Sequence, residues 1–135
     1  MNAFCVLFAD SNETLDLSEL SNERTLASVP FGGRYRIIDF VLSNMANAGI
    51  VNVGIATESN YSSLMDHTRS GKPWDLDRTF GGVTVLPPYQ GKKGADWYKG
   101  TANAIYQNLH FIKQFDPDYV LILSGDHIYK MNYSQ

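Results

Sequence analysis

The sequence has 135 residues, of which 44% are hydrophobic and 19% charged; these proportions suit one globular domain or part of one and exclude disordered, collagen-like and polar low-complexity chains. Eleven basic residues against fourteen acidic ones leave a net charge of −3, too little positive charge to follow a nucleic-acid backbone. Cys5 is the single cysteine, so no internal disulfide is possible and a reducing compartment is the simpler reading; with no apolar run near the roughly 18 residues of a membrane span and no secretory leader pattern, the expected location is the cytoplasm, without a membrane partner.

Taken in chain order, the first apolar run, residues 4–9, reads as a buried strand with Cys5 in the core. Next comes Pro30-Phe31-Gly32-Gly33-Arg34-Tyr35-Arg36, followed by a helix whose Ile38, Leu42 and Met45 fall at i, i+4 and i+7, with Gly49 just past its end. Arg34 and Arg36 put two positive charges near that helix start, against its dipole. An anion held there and an ordinary salt bridge from Arg36 to Asp39 both fit. Residues 51–57 form a second strand weakened by Gly54, and residues 60–70 a shorter helix closed by Gly71 and Pro73. Residues 70–82 read as a loop, residues 83–86 as a third strand, and Pro87 to Gly100 as a second irregular stretch. Two such loops in so short a chain point to function.

Trp97-Tyr98-Lys99-Gly100-Thr101-Ala102 closes that stretch. Thr101 is the expected N-cap of a helix with Ala102, Ile105, Leu109 and Ile112 on one face. Gly100 would leave room for a ring against the backbone. The two aromatics either hold a base or phosphate at the helix start or pin the loop to the body. The run 119–123 has no polar alternation, as expected of a strand covered on both faces of a parallel sheet. Ser124-Gly125-Asp126-His127 follows, where Asp126 suits a hard cation such as Mg²⁺ or caps the next turn. Gly125 would let a ligand approach. His67, His110 and His127 lack partners at metal-ligand spacing and read as structural or surface residues. Strands alternating with helices predict an α/β fold with a mainly parallel sheet. Only a dozen residues follow Leu123, too few to enclose a ligand at that strand end, so residues 1–135 are expected to be a truncated, N-terminal portion of a domain.

The run from Val29 to Phe40, with Leu42-Ser43-Asn44 and Asn47-Ala48-Gly49-Ile50, resembles the bacterial glucose-1-phosphate adenylyltransferase (ADP-glucose pyrophosphorylase) family. So do Trp97-Tyr98-Lys99-Gly100-Thr101-Ala102 and Ser124-Gly125-Asp126-His127-Ile128-Tyr129-Lys130. The resemblance covers nearly the whole chain. It implies a Rossmann-like nucleotidyltransferase domain, followed in full-length members by a left-handed β-helix. It also implies the reaction of ATP with glucose 1-phosphate to give ADP-glucose and pyrophosphate, with Mg²⁺, in glycogen or starch synthesis. Asp126 matches the family's metal aspartate, and Tyr98, Gly100 and Thr101 match its nucleotide-contacting segment. The family's sugar-phosphate lysine and second metal carboxylate would lie beyond Gln135.

One departure from the family stands out. Where its members carry a glycine-rich GGxGxR loop that cradles the triphosphate, this sequence has Ser11, Asn12, Glu13, Thr14, Leu15 and Asp16. No glycine remains, the arginine position holds Asp16, and Asp10 and Glu13 add acid. Like charges at ~4 Å repel by ~4 kcal/mol at an effective dielectric near 20, and the charge-assisted fork of the arginine is gone. In the RAKPAV pattern, the lysine position is Leu26, and the fourth residue of the GTADA motif is Asn103 rather than Asp.

Intact scaffold motifs beside a degenerate triphosphate loop resemble the D-type subunit of glycogen biosynthesis in some Gram-positive bacteria. That implies an accessory or regulatory subunit, poorly active or inactive alone, which joins a catalytic paralogue in a mixed oligomer, a tetramer. ATP, ADP-glucose or a sugar phosphate are its expected ligands. Two alternatives stand beside it: a catalytically active sugar-phosphate nucleotidyltransferase that binds the triphosphate by another route, and a non-enzymatic sensor of a nucleotide sugar or anion through Arg34 and Arg36.

Overall fold

The computed structural model describes residues 2–10, 18–58, 60–69, 71–76, 81–88, 90–91, 94–95 and 97–134. Strand β1 (Ala3–Phe8) runs through the middle of a four-stranded sheet, and five of its six residues are buried. Its side chains alternate between two cores. Ala3, Cys5 and Leu7 face one, and Phe4 and Val6 the other. A strand covered on both faces needs apolar residues at every position, which explains the unbroken run in the sequence.

A short helix, α1 (Ser18–Ser21), and a two-stranded antiparallel ribbon, β2 (Pro30–Phe31) and β3 (Tyr35–Arg36), lead into helix α2 (Ile37–Asn47). Ile38, Val41, Leu42 and Met45 of α2 are fully buried against β1, each contributing about 1.5–3 kcal/mol by leaving water. Strand β4 (Asn52–Ala56) pairs parallel with β1. Helix α3 (Ser62–Thr68) follows, then strand β5 (Gly82–Leu86), parallel to β4. Residues 90–95 carry a small antiparallel pair, β6 (Gln90–Gly91) and β7 (Gly94–Ala95), inside the stretch expected to be a loop. Helix α4 (Thr101–Lys113) crosses the second face, and β8 (Tyr119–Ser124) returns beside β1.

The sheet order is β5-β4-β1-β8, with every pairing parallel. This is the α/β architecture that the strand–helix alternation predicts. Chain order runs outward from β1 through β4 to β5, then jumps across to β8. The strand order therefore reverses between β1 and β8, and ligands of open α/β sheets bind beyond the carboxyl ends of strands at such a point.

Three details correct the sequence expectations. The first is that β8 is not covered on both faces: Tyr119, Val120 and Ile122 are 65%, 45% and 55% exposed. Among the described residues it is the outermost strand of the sheet, and α4 covers Phe4 and Val6 of β1. The second concerns the buried face of α4. Phe111 and Phe115 stack on Phe4, with ring centroids 6.1 and 5.1 Å away, and Ala104 and Ile112 are buried. Ala102 and Leu109 of the expected stripe face solvent. The third is Gly54, which does not weaken its strand but permits it to pack. A Cβ there would sit 2.5 Å from Leu86 Cδ1 and 3.2 Å from the Phe4 ring.

Candidate functional site

The carboxyl ends of β1, β4 and β8 meet at one edge of the sheet, where Phe8 is in register with both Ala56 and Ser124. Beyond β1 the ladder continues by one rung, from Ala9 N–H to the Ala56 carbonyl at 3.0 Å. The next rung is made by a side chain: the backbone N–H of Glu58 donates to Asp10 Oδ2 at 2.6 Å. Burial holds the Asp10 carboxyl above the usual aspartate range, while the Glu58 N–H and the nearby Thr57 hydroxyl favour its charge and pull the other way. Thr57 Oγ1 is itself buried without a hydrogen bond of good geometry.

These groups line a small pocket with Tyr98, Gly100 and Thr101. The Tyr98 hydroxyl donates to the Leu86 carbonyl at 2.8 Å and accepts from Asn108 Nδ2 at 2.8 Å. Burial pushes its pKa up. Two hydrogen bonds fix the hydroxyl and with it the ring, so the aromatic segment both pins the loop and faces the pocket.

Helix α4 begins one residue earlier than expected. Its N-cap is Gly100, whose φ of 103° is a conformation glycine alone adopts without strain, and Thr101 is the first helical residue. A Cβ at Gly100 would meet no atom of the chain, so within the chain it is the backbone conformation that calls for this glycine. Asn103 ties the chain that enters the helix to its first turn: its Oδ1 accepts from the Lys99 N–H at 3.0 Å and from Gln107 Nε2 at 2.9 Å.

At the end of β8, Gly125 donates its N–H to the Phe8 carbonyl at 2.7 Å. A Cβ there would stand 3.0 Å from the same carbonyl oxygen, so the close approach Gly125 permits is to strand β1. Asp126 accepts a hydrogen bond from the Ser124 hydroxyl and lies 3.8 Å from the exposed His127 imidazole. Among the described residues, no three His, Cys, Asp or Glu side chains gather to hold a metal. Asp126 nonetheless offers the oxygen chemistry that suits a hard cation completed by phosphate and water oxygens.

The arginines of the glycine motif diverge. The Arg36 guanidinium turns inward, donating to the Ser28 carbonyl at 3.0 Å and to Ser63 Oγ at 2.6 Å, and burial lowers its pKa. Its backbone N–H donates to Asp39 Oδ2 at 2.9 Å, which caps α2. Asp39 is thus its partner through the main chain rather than as a salt bridge. Asp39 Oδ1 meets His67 Nε2 at 2.6 Å, making His67 a structural residue that ties α3 to α2. Arg34 lies over the neighbouring Tyr35 ring at 5.5 Å and lines a surface cleft with His67 and Trp74.

Leu26 is buried in a short 3₁₀ turn, as an apolar side chain at that position should be. The residues in place of the glycine-rich loop, Ser11, Asn12, Glu13, Thr14, Leu15 and Asp16, lie outside the described residues. Sequence reasoning missed the link from Asp10 to Glu58. The acidic residue directly after the first strand was a signal for it, but its partner is a backbone amide, which no side-chain pattern reveals.

The nucleotidyl transferase family model matches residues 16–135. The chain belongs to the nucleotidyl transferase family. It is 60% identical over 119 residues to a glucose-1-phosphate adenylyltransferase of Clostridium botulinum (strain Eklund 17B / Type B), covering 88% of this chain and 31% of that protein. Over 117 residues it is 62% identical to one of Clostridium acetobutylicum, covering 87% of this chain and 31% of that protein. A third, from Bacillus thuringiensis, is 60% identical over 119 residues, covering 88% and 32%. The chain thus spans about a third of the length of these relatives. Among solved structures, the fold matches a Bacillus anthracis chain assigned as a glucose-1-phosphate thymidylyltransferase, crystallised with a sucrose. The TM-score is 0.73 at 16% identity, covering 98% of this chain and 47% of that one. At that identity the match speaks to the fold, the α/β nucleotidyltransferase fold with a mainly parallel sheet. Members of the family generally use a divalent metal. Among the described residues, no helix is long and apolar enough to cross a membrane.

Proposed function

We propose that the protein is an accessory, regulatory subunit of glucose-1-phosphate adenylyltransferase, poorly active alone and working beside a catalytic paralogue in a mixed tetramer. The relatives named above support the reaction class. The observation that carries the accessory role is in the sequence after β1: Glu13 and Asp16 occupy positions at which the glycine-rich loop pattern has other residues, an arginine in the case of Asp16, and Asp10 adds a third acid just before them. A nucleoside triphosphate stays anionic even with a metal bound. Electrostatic stabilisers of a transferring phosphoryl group are worth several powers of ten in rate, so their replacement by acid removes most of the turnover.

On this reading Tyr98, Gly100 and Thr101 face the nucleoside end of a ligand, ATP or ADP-glucose. Asp126 would hold Mg²⁺, which when bound neutralises phosphate charge. Arg34 remains the cation of the glycine motif that an anionic effector could meet, because Arg36 is committed to Ser28 and Ser63.

The test is turnover of ATP and glucose 1-phosphate with Mg²⁺ by the full-length protein alone, by the catalytic paralogue alone, and by the two mixed. The lone protein is expected to be slower than the paralogue by about a thousandfold or more, and mixing should change the rate or the response to effectors. Equal turnover by the two proteins alone would defeat the proposal. Identity of about 60% to enzymes named as adenylyltransferases favours a second reading, an active sugar-phosphate nucleotidyltransferase. In that case Asp16→Arg should lower turnover, whereas the accessory reading expects it to raise turnover or leave it low.

A further inference from the structure

The pocket at the ends of β1 and β4 has an occupant of its own. The Glu58 N–H is the first amide beyond the β4 ladder. It is the natural donor for an acceptor atom on a bound ring, yet it already donates to the Asp10 carboxylate at 2.6 Å. The remaining space lined by Asp10, Thr57, Glu58, Tyr98, Gly100 and Thr101 is about 70 Å³. Pockets that take drug-sized or nucleotide-sized ligands run to about 300 Å³ or more. Phe8, Ala56 and Ala104 complete the walls on their apolar side, and the Thr57 hydroxyl is buried with no hydrogen bond of good geometry, so the site offers a partner that nothing in the chain fully uses.

We infer that Asp10 is a built-in plug, a specificity-determining side chain that takes the Glu58 amide and so weakens the binding of a nucleoside ring in the pocket. The inference rests on the site proposed above being the nucleoside end of a ligand site. It adds a cause for weak binding that is independent of the triphosphate loop. A ring that enters must displace the carboxylate from its donor and leave it part-buried and unpaired, which opposes binding whatever the charge on the ligand's phosphates. A shorter side chain at the same position leaves the amide free and enlarges the pocket.

An uncharged probe separates the plug from phosphate repulsion. Calorimetry would titrate adenosine into the full-length wild type and into Asp10→Ala, Asp10→Ser and Asp10→Asn. Asp10→Ala and Asp10→Ser are expected to bind adenosine about tenfold more tightly than wild type or better, the range set by one freed charge-assisted hydrogen bond. Asp10→Asn, whose Oδ1 still accepts from the Glu58 N–H, should stay with wild type. Equal affinity in all four, including no binding by any, would overturn the plug. An Asp10→Asn affinity matching Asp10→Ala would also overturn it, since charge rather than occupancy would then be the barrier. Hydrogen exchange on the wild type needs no variant: the Glu58 amide should exchange slowly, and exchange as fast as an open loop amide would sink the inference. None of these outcomes bears on the mixing assay, so the plug and the accessory role stand or fall separately.

Discussion

On one face of the sheet, Ile38, Val41, Leu42 and Met45 of α2 are fully shut away from solvent; on the other, the buried residues of α4 are Ala104 and Ile112, while Tyr106 and Leu109 stay 72% and 37% exposed. The α2 face is apolar and closed, and its polar groups are spent on anchoring, as with Arg36 on Ser63 and Asp39 on His67. The α4 face is looser and more polar. It places Asn108 against Tyr98 and borders the pocket. The candidate site thus borders the more polar of the two faces, opposite the closed apolar one.

The sharpest way to break this contrast is to truncate matched leucines. Leu42→Ala should cost about 2–5 kcal/mol in a urea titration of the full-length protein, since it opens a cavity in the closed core. Leu109→Ala should cost less than about 1 kcal/mol, as at other exposed sites. Similar losses at both would erase the distinction between the faces. A smaller effect is expected at Asn44, buried on α2, which donates to the Tyr129 carbonyl at 3.0 Å and accepts from the Met131 N–H at 3.3 Å. Asn44→Ala removes both bonds to this part-buried segment and should cost about 0.5–1.5 kcal/mol. Faster proteolysis after β8 would mark the released segment.

The smallest effect belongs to the pocket side and depends on pH. Burial raises the Asp10 pKa, so the folded chain binds this proton more tightly than the unfolded chain does. The contribution of this group to stability therefore falls as pH rises from the ordinary aspartate value through the raised one. Asp10→Asn cannot ionise. It should be more stable than wild type at neutral pH, and the gap should close below about pH 3.9, the ordinary aspartate value. A gap that is flat from neutral pH down to that value would remove burial as the cause.

The four main strands and the three longer helices were legible because their apolar residues follow simple periods, and continuous runs mark strands buried on both sides. β8 has a composition like that of β1 and yet is exposed among the described residues, where it is the outermost strand of the sheet. Burial there is a property of neighbours, not of the run itself. On α4 the true inward face includes the polar Asn108, whose bonds to Tyr98 and the Ala104 carbonyl suit a buried position that hydrophobic counting shifts by part of a turn. At the site, the residue types of Tyr98, Gly100, Thr101 and Asp126 were readable as a pattern. Their geometry was not, because Gly100 acts through its backbone angle and Gly125 through its contact with β1. Asp10 was visible as an acid, but its bond to Glu58 was not, since the partner is a main-chain amide.

The bond from the Gly125 N–H to the Phe8 carbonyl reaches further than its local role. It rivets the turn that bears Asp126 to the end of the strand that leads into Asp10, backbone to backbone. The spacing between the two acidic positions is therefore a dimension of the frame, like the gauge of a track, and side-chain exchanges at either position change what the gap can grip without changing its width. Descendants of this frame can gain or lose ligands by single substitutions on either side, while a change at Gly125 itself would shift both sides at once.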